Sequence, residues 1–276
     1  MTVAMEVITA GQIKKFWPVP GVGDDKYSRG VVGVDTGSLR YLGAGVLSTL
    51  GAVRSGAGFV RFVGPKPTHA ALLARCPSVT FGQGRVAAWV VGCGWDDELV
   101  NGPRLAARLA DGVPCVIDAG AMFVIEDALA ALGTSKLPGG ALLTPHAGEL
   151  ARLLEVRRAD VTADPLRHAQ LASRRFGAAV LLKGATQFCV DHDIAYQVPP
   201  GPAWTAQAGS GDVLAGVAGT LLAAGLKPAL AGALAAALQA QTAARHLGPW
   251  APDQLADWFP QTIAEPGFTD AARSSA

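Results

Sequence analysis

Apolar residues in this chain cluster in short β-branched runs separated by stretches of helical periodicity, and the alternation repeats through most of its length. Gly30–Val34, Phe59–Val63, Ala87–Val91, Pro114–Ile117, Ala141–Leu143 and Ala178–Leu182 read as strands. Between them Ala44–Arg54, Thr68–Arg75, Pro103–Ala110, Gly148–Glu155 and Pro165–Phe176 read as helices. Such βαβ alternation predicts an α/β protein with a mainly parallel sheet wrapped by helices. The run Ala87-Ala88-Trp89-Val90-Val91 has no polar face, as expected of a strand covered on both sides. After Lys183 the period changes. Gln187–Asp191 and Ile194–Val198, joined through His192-Asp193, read as a hairpin, and the turn-rich Pro199-Pro200-Gly201-Pro202 follows. Two Ala-rich helices, Val213–Leu226 and Ala229–His246, are broken at Lys227-Pro228. The tail beyond Leu247 carries Pro249, Pro252, Pro260 and Pro266 and ends in Ser and Ala, so its last residues are expected to fray. No repeat, heptad register or linker divides the chain, so one domain is expected.

Composition narrows the partners. Of the 276 residues 50% are hydrophobic and only 16% charged, which suits buried central strands. A net charge of +1 and a pI near 7.7 supply no attraction to nucleic acid or an anionic membrane, which leaves small molecules or further copies of the chain. Cys76, Cys93, Cys115 and Cys189 have no C-x-x-C spacing and read as reduced, buried thiols of a cytosolic protein rather than a zinc site. Met1 to Trp17 lacks the basic region and apolar core of a signal peptide, and Val213–Leu226 is too short and too rich in Gly and Ala to span a bilayer.

In an open parallel sheet, ligands bind beyond the carboxyl ends of the strands. Unusual residues gather there: Asp35-Thr36-Gly37-Ser38, Gly92-Cys93-Gly94, Asp118-Ala119-Gly120, Thr144-Pro145-His146-Ala147-Gly148-Glu149 and Lys183-Gly184-Ala185-Thr186-Gln187. Each loop has a structural alternative; Asp118, for instance, could cap a helix. His146 and Glu149 could face a cleft or act in capping. Lys183, after a buried strand, needs an anionic partner, which a phosphate or a carboxylate would supply equally well. His69, His168, His192 and His246 fall on expected helix surfaces or a hairpin tip and receive no role. Ala208-Gly209-Ser210-Gly211-Asp212 runs into a long apolar helix, and a glycine-rich helix start attracts phosphate through its unpaired N–H groups. A carboxylate there would repel phosphate unless it takes a proton from an attacking hydroxyl, or unless Ser210 or Asp212 is only the cap.

Lys26-Tyr27-Ser28-Arg29-Gly30, Tyr41-Leu42-Gly43-Ala44, Gly56-Ala57-Gly58, Gly92-Cys93-Gly94, Thr144-Pro145-His146-Ala147-Gly148-Glu149, Lys183-Gly184-Ala185 and Ala208-Gly209-Ser210-Gly211-Asp212 follow one another in a familiar order and spacing. From about Lys26 to His246 the chain resembles the ADP-dependent NAD(P)H-hydrate dehydratases. The resemblance implies a three-layer α/β/α ribokinase-like fold with its core over about residues 26–247. It implies dehydration of the S epimer of hydrated NADH or NADPH, with a phosphoryl group from ADP, or ATP in its place, making the hydroxyl a good leaving group. By similarity Asp212 accepts the hydroxyl proton, and the N–H groups of Gly209, Ser210 and Gly211 hold the transferring phosphoryl. The same resemblance assigns Lys183, Gly184, Ala185, Thr186, Gln187, Gly209, Ser210 and Gly211 to the nucleotide, and Ala44, Gly94, His146 and Asp212 to the hydrated cofactor. Magnesium is implied with the nucleotide, its protein ligands unassigned. A cytoplasmic homo-oligomer, a tetramer in the family pattern, is implied too. Because only a short segment precedes Lys26, the companion NAD(P)H-hydrate epimerase is expected as a separate chain.

Two places depart from the family pattern. Trp95 follows Gly94 where a small aliphatic residue is usual, and Asp35-Thr36 precede Gly37-Ser38 where a small residue is usual. Two rival readings share much of this pattern: a small-molecule kinase of the same superfamily, acting on a sugar or a vitamin-precursor alcohol, and a nucleotide-binding protein without catalysis. His146 argues against the first, because such kinases often place Asn there; Asp212 beside intact glycines argues against the second.

Overall fold

The computed structural model describes residues 4–96, 98–192 and 194–265. Ten strands form one sheet: β1 (Ala4–Val7), β2 (Val31–Asp35), β3 (Phe59–Phe62), β4 (Thr80–Phe81), β5 (Ala88–Val91), β6 (Cys115–Ile117), β7 (Ala141–Leu143), β8 (Ala179–Leu182), β9 (Gln187–Asp191) and β10 (Ile194–Val198). Their order is β1-β10-β9-β8-β7-β6-β5-β2-β3-β4. From β4 to β8 all neighbours are parallel; β9 runs antiparallel to both β8 and β10, and β1 adds parallel to β10.

Helices α1 (Ala10–Phe16), α2 (Leu42–Arg54), α3 (His69–Arg75), α4 (Glu98–Ala110), α5 (Ile125–Leu132), α6 (Ala147–Leu154), α7 (Arg158–Ala163) and α8 (Pro165–Phe176) alternate with the strands. Four more follow: α9 (Ser210–Ala223), α10 (Pro228–Arg245), α11 (Pro252–Ala256) and α12 (Phe259–Ala264). Successive side chains of a strand point to opposite faces, so the buried strands feed two cores. Val32, Val34, Val90 and Leu142 join α2, α9 and α10 on one side, while Val91, Ile117, Leu143 and Val180 join α4, α5, α6 and α8 on the other. This is the three-layer ribokinase-like arrangement.

Helix α9 is an interior layer rather than a surface, with Val213 through Leu222 all buried. It packs on α2 backbone to backbone: a β-carbon on Gly51 would lie 2.1 Å from the Val213 carbonyl oxygen, and one on Gly216 would lie 2.0 Å from that of Ser48. That contact holds the start of α9 against the sheet's carboxyl edge.

Several elements differ from the sequence reading. Pro103, expected to open its helix, lies inside α4. Strands β1 and β4 and helices α1, α5, α7, α11 and α12 were not anticipated. Pro252 and Pro260 sit in the first turns of α11 and α12, where a missing N–H costs nothing. Ile13, Trp17 and Phe259 are buried in the same core as β2, so the packed body reaches beyond residues 26–247. The Asp193 half of the expected hairpin tip, and the frayed end expected past residue 265, lie outside the described residues. The four cysteines are free and buried, as expected. His168, expected on a surface, is buried, with Nδ1 2.8 Å from the Asp164 carbonyl. No helix among the described residues is long and apolar enough to cross a membrane.

Candidate active site

Strand order reverses between β2 and β5: β3 and β4 continue outward from β2, whereas β6, β7 and β8 continue from β5. The crevice above such a reversal is where doubly wound sheets bind ligands. Its walls here are the loops after β2 and β5, tied by the Gly37 N–H donating to the Cys93 carbonyl at 2.7 Å. Gly94 takes φ +68°, in the region glycine favours, and a β-carbon on it would lie 2.6 Å from that of Ala44. The two residues assigned to the hydrated cofactor on this side therefore touch.

Side chains from neighbouring strand ends meet deeper in the crevice. Asp118, after β6, is buried; its Oδ1 accepts from the Thr144 hydroxyl at 2.7 Å and the Lys183 ammonium at 2.8 Å, and its Oδ2 accepts from the Cys93 thiol at 3.4 Å. It makes no capping bond to the short helix that follows. Ligating atoms of Cys93, Asp118 and Asp212 all lie within 4.8 Å of one another.

Burial sets the charge states here. Loss of water around Asp212, reinforced by the negative charge of Asp118 and opposed by Lys183, pushes its carboxyl up to about 7. Glu149 is raised by burial against the pull of Lys183, and the buried Cys93 thiol is held protonated. Burial disfavours the Lys183 ammonium, but Asp118 and Glu149 outweigh it and hold the ammonium above the usual lysine range. A carboxyl poised near neutrality suits a general base.

Helix α9 opens at Gly209, in the left-handed region at φ +92°, without a side-chain cap. Neither Ser210 nor Asp212 is its N-cap; they are its first and third residues. The Ser210 N–H is engaged by the Gln207 carbonyl at 3.2 Å, and the Val213 N–H by that of Gly209, also at 3.2 Å. The Gly211 and Asp212 N–H groups are the pair that helix geometry leaves for an anion. Of the three N–H groups expected to hold the transferring phosphoryl, that of Ser210 is therefore engaged within the turn. Lys183 stands at its side, since a β-carbon on Gly211 would lie 3.2 Å from Nζ.

Next to this turn is a cavity of about 370 Å³, walled by Lys183, Gly184, Ala185 and Gln187 on one side and by Ser210, Gly211, Leu214 and Gln239 on the other. Six of the eight residues assigned to the nucleotide line it; Thr186 and Gly209 are chain neighbours of the lining but not part of it.

His146 and Glu149 take the capping role and the cleft rim together. The His146 Nδ1 accepts from the Gly148 and Glu149 N–H groups at 3.0 and 3.1 Å, while Glu149 Oε2 accepts from the His146 N–H at 2.7 Å. With Nδ1 accepting, Nε2 carries the proton. The imidazole is 60% exposed, and His146 is paired through its backbone with Lys183.

The two departures from the family pattern form one cluster at the foot of the β2–β5 wall. Asp35 is buried with Arg104 on one oxygen and Arg108 on the other, at 2.7 Å for the latter. Trp95 donates its indole N–H to the Asp35 carbonyl at 3.0 Å, with the Arg104 guanidinium 4.2 Å over its ring. Asp118, Thr144 and Cys93 were given no catalytic part by the sequence reading. The available signal was that each follows a buried strand, the same signal that marked Lys183.

The model of a family described as NAD(P)H-hydrate dehydratase matches residues 32–256. The chain belongs to this family. It is 42% identical over 216 residues to a bifunctional NAD(P)H-hydrate repair enzyme of Mycobacterium tuberculosis, a match covering 76% of this chain and 44% of that one. The chain thus spans about half the length of such relatives. It is 30% identical to an ADP-dependent (S)-NAD(P)H-hydrate dehydratase of Xanthomonas campestris, covering 80% of this chain and 81% of that protein. The solved structure of the ADP/ATP-dependent NAD(P)H-hydrate dehydratase of Bacillus subtilis, co-crystallised with ATP/Mg2+, superposes with a TM-score of 0.81 at 22% identity, covering 92% of this chain and 96% of that one. At that identity the likeness speaks for the fold.

Proposed function

We propose that this protein repairs hydrated nicotinamide cofactors, as an ADP-dependent dehydratase that returns the S epimer of NADH or NADPH hydrate to NADH or NADPH and releases AMP and phosphate. The observation that carries the reading is Asp212: a carboxyl raised to about 7 at the open end of α9, beside the Lys183 ammonium and the cavity. Hydroxide leaves poorly near neutral pH, so transfer of the nucleotide's terminal phosphoryl group to the hydroxyl, which frees AMP, gives phosphate as the leaving group. The C–O bond breaks as the ring nitrogen pushes in its electron pair, and loss of a proton from the adjacent ring carbon restores the dihydronicotinamide. Asp212 takes the proton from the substrate hydroxyl as its oxygen attacks phosphorus. The Gly211 and Asp212 N–H groups and Lys183 stabilise the charge on the transferring group. Ala44 and Gly94 bound the hydrated ring's side of the crevice, and the His146 Nε2–H reaches its rim.

The nucleotide fits the chain: Gly211 leaves a cradle that a β-carbon would fill, against a lysine and beside a cavity. A resident magnesium does not fit the Cys93–Asp118–Asp212 cluster, because a protonated thiol is the wrong donor and Asp118 is already neutralised by Lys183. On this reading magnesium would be held by the nucleotide rather than by this cluster, and would supply charge neutralisation there. The reading includes a cytoplasmic homo-oligomer working with an NAD(P)H-hydrate epimerase.

Incubation with hydrated NADH and either ADP or ATP tests the proposal. Recovery of dihydronicotinamide absorbance is expected. No recovery with either nucleotide overturns it, and a stable phosphorylated alcohol points instead to a kinase of the same fold.

A further inference from the structure

Asp118 has no part in the proton transfer just described, yet it is the most heavily engaged side chain in the crevice. Thr144, Lys183 and Cys93 all donate to it, from the ends of three other strands. A buried carboxylate with both oxygens satisfied is fixed in place. It faces Asp212 across the Cys93 thiol, the three sets of ligating atoms lying within 4.8 Å.

We propose that Asp118 is a positioning residue of this site: it pins the Lys183 ammonium beside Gly211, and its fixed negative charge opposite Asp212 tunes Asp212 as a proton acceptor. The proposal rests on the reading that Asp212 takes the substrate's hydroxyl proton.

Two consequences of the geometry support it. First, Lys183 is held where an incoming anion meets it, since Nζ is 2.8 Å from Asp118 Oδ1, 4.0 Å from Glu149 Oε2 and 3.2 Å from where a Gly211 β-carbon would be. A free lysine has four rotatable bonds to order before it can act on a phosphoryl group, whereas this one is already placed. Second, every charged or titratable group acting on Asp212 comes from a different element: Cys93 from the end of β5, Asp118 from β6, Lys183 from β8 and Glu149 from α6. Of these, Asp118 and Glu149 oppose ionisation of Asp212 and Lys183 favours it, while the Cys93 thiol proton is engaged by Asp118. Asp118 is the largest of the charge effects, so without it Asp212 would be a weaker base, ionised further below neutrality.

The test reads Asp212 in two ways. In the wild type the acid limb of the kcat/KM profile with hydrated NADH and ADP belongs to Asp212. Asp118→Asn is expected to move that limb down by about half a pH unit or more. Thr144→Val, which removes one hydrogen bond to Asp118 but keeps the charge, is expected to leave it in place. Independently, the 13C carboxyl resonance of Asp212, assigned by its loss in Asp212→Asn, is titrated in the protein without ligands and is expected to follow the same shift. An Asp212 titration unchanged or raised in Asp118→Asn overturns the proposal. If the wild type fails to turn over hydrated cofactor, the function falls, while the resonance titration still decides the coupling of Asp118 to Asp212. Should Asp118→Asn not fold, it is combined with Lys183→Met, so that neither member of the buried pair is left unpaired, and the Asp212 titration is compared with that of Lys183→Met alone. A lower titration in the double variant is expected, and an unchanged or higher one overturns the proposal.

Discussion

A methyl group on Gly216 would stand 2.0 Å from the carbonyl oxygen of Ser48, so the backbones of α9 and α2 are in direct contact there. Neither backbone can give without moving the first turn of α9. Gly216→Ala is therefore expected to cost about 2–4 kcal/mol, or to prevent folding, in urea denaturation. Gly43→Ala is the contrast. Its β-carbon meets nothing within 4 Å, and replacing a helical glycine there should raise stability by about 0.5 kcal/mol. Equal effects of the two substitutions would sink this account of the helix pair.

Turnover should rise with pH through about 7, because Asp212 must be ionised to accept a proton and burial keeps it protonated below that point. A kcat/KM profile with no inflection between pH 6 and 8 would remove Asp212 from the role of base. Asp212→Asn should abolish the limb, lower kcat by about a thousandfold or more and leave nucleotide affinity within a few-fold.

The same carboxyl carries a stability prediction. Its folded pKa is raised, so the folded state holds the proton more tightly than the unfolded chain, and ionising it costs stability. That cost is absent below about pH 4, the unfolded aspartate value, grows as pH climbs toward 7 and is complete above it. Asp212→Asn should accordingly be more stable than wild type at pH 8, by roughly 1–3 kcal/mol, and not at pH 4. Chemical denaturation at the two pH values checks the sign.

Gly211→Ala should separate binding from folding. The new β-carbon meets only the far end of Lys183, at 3.2 Å, in a helical position that alanine adopts freely. The melting temperature is expected to stay within a few degrees, while calorimetry shows ADP binding weakened about tenfold or more as the ammonium is pushed from the helix start.

Asp35→Asn should act on stability alone. It leaves the Arg104 and Arg108 guanidiniums, 27% and 14% exposed, against a neutral amide, and the expected cost is about 2–4 kcal/mol. An unchanged unfolding midpoint would show that the two arginines are satisfied by solvent instead.

Much of this architecture was legible in the residues because its signals are local. Runs such as Val31-Val32-Gly33-Val34 and Ala179–Leu182 are apolar throughout, and a strand buried on both faces has no other way to look. The turn at Gly209 was legible for the same reason: only glycine enters the left-handed region freely at a helix start. Elements with weak local signals were missed. Strand β4 has two residues, and β1 is an edge strand whose Met5 and Val7 are exposed. Helices α11 and α12 are too short for their periodicity to emerge, although their early prolines mark where they begin.

The sequence by itself determined the α/β class, the carboxyl-edge placement of the chemistry and the family to which the chain belongs, because each depends on residue type and order within a few positions of a strand end. Only the tertiary structure decided which anion satisfies Lys183, where the strand order reverses, and that Ser210 commits its N–H to a turn while Gly211 and Asp212 do not. Asp118, Thr144, Lys183, Cys93 and Asp212 come from five separate stretches of chain, and their charges act on one another only when the sheet has brought them within a few ångströms and excluded the water between them.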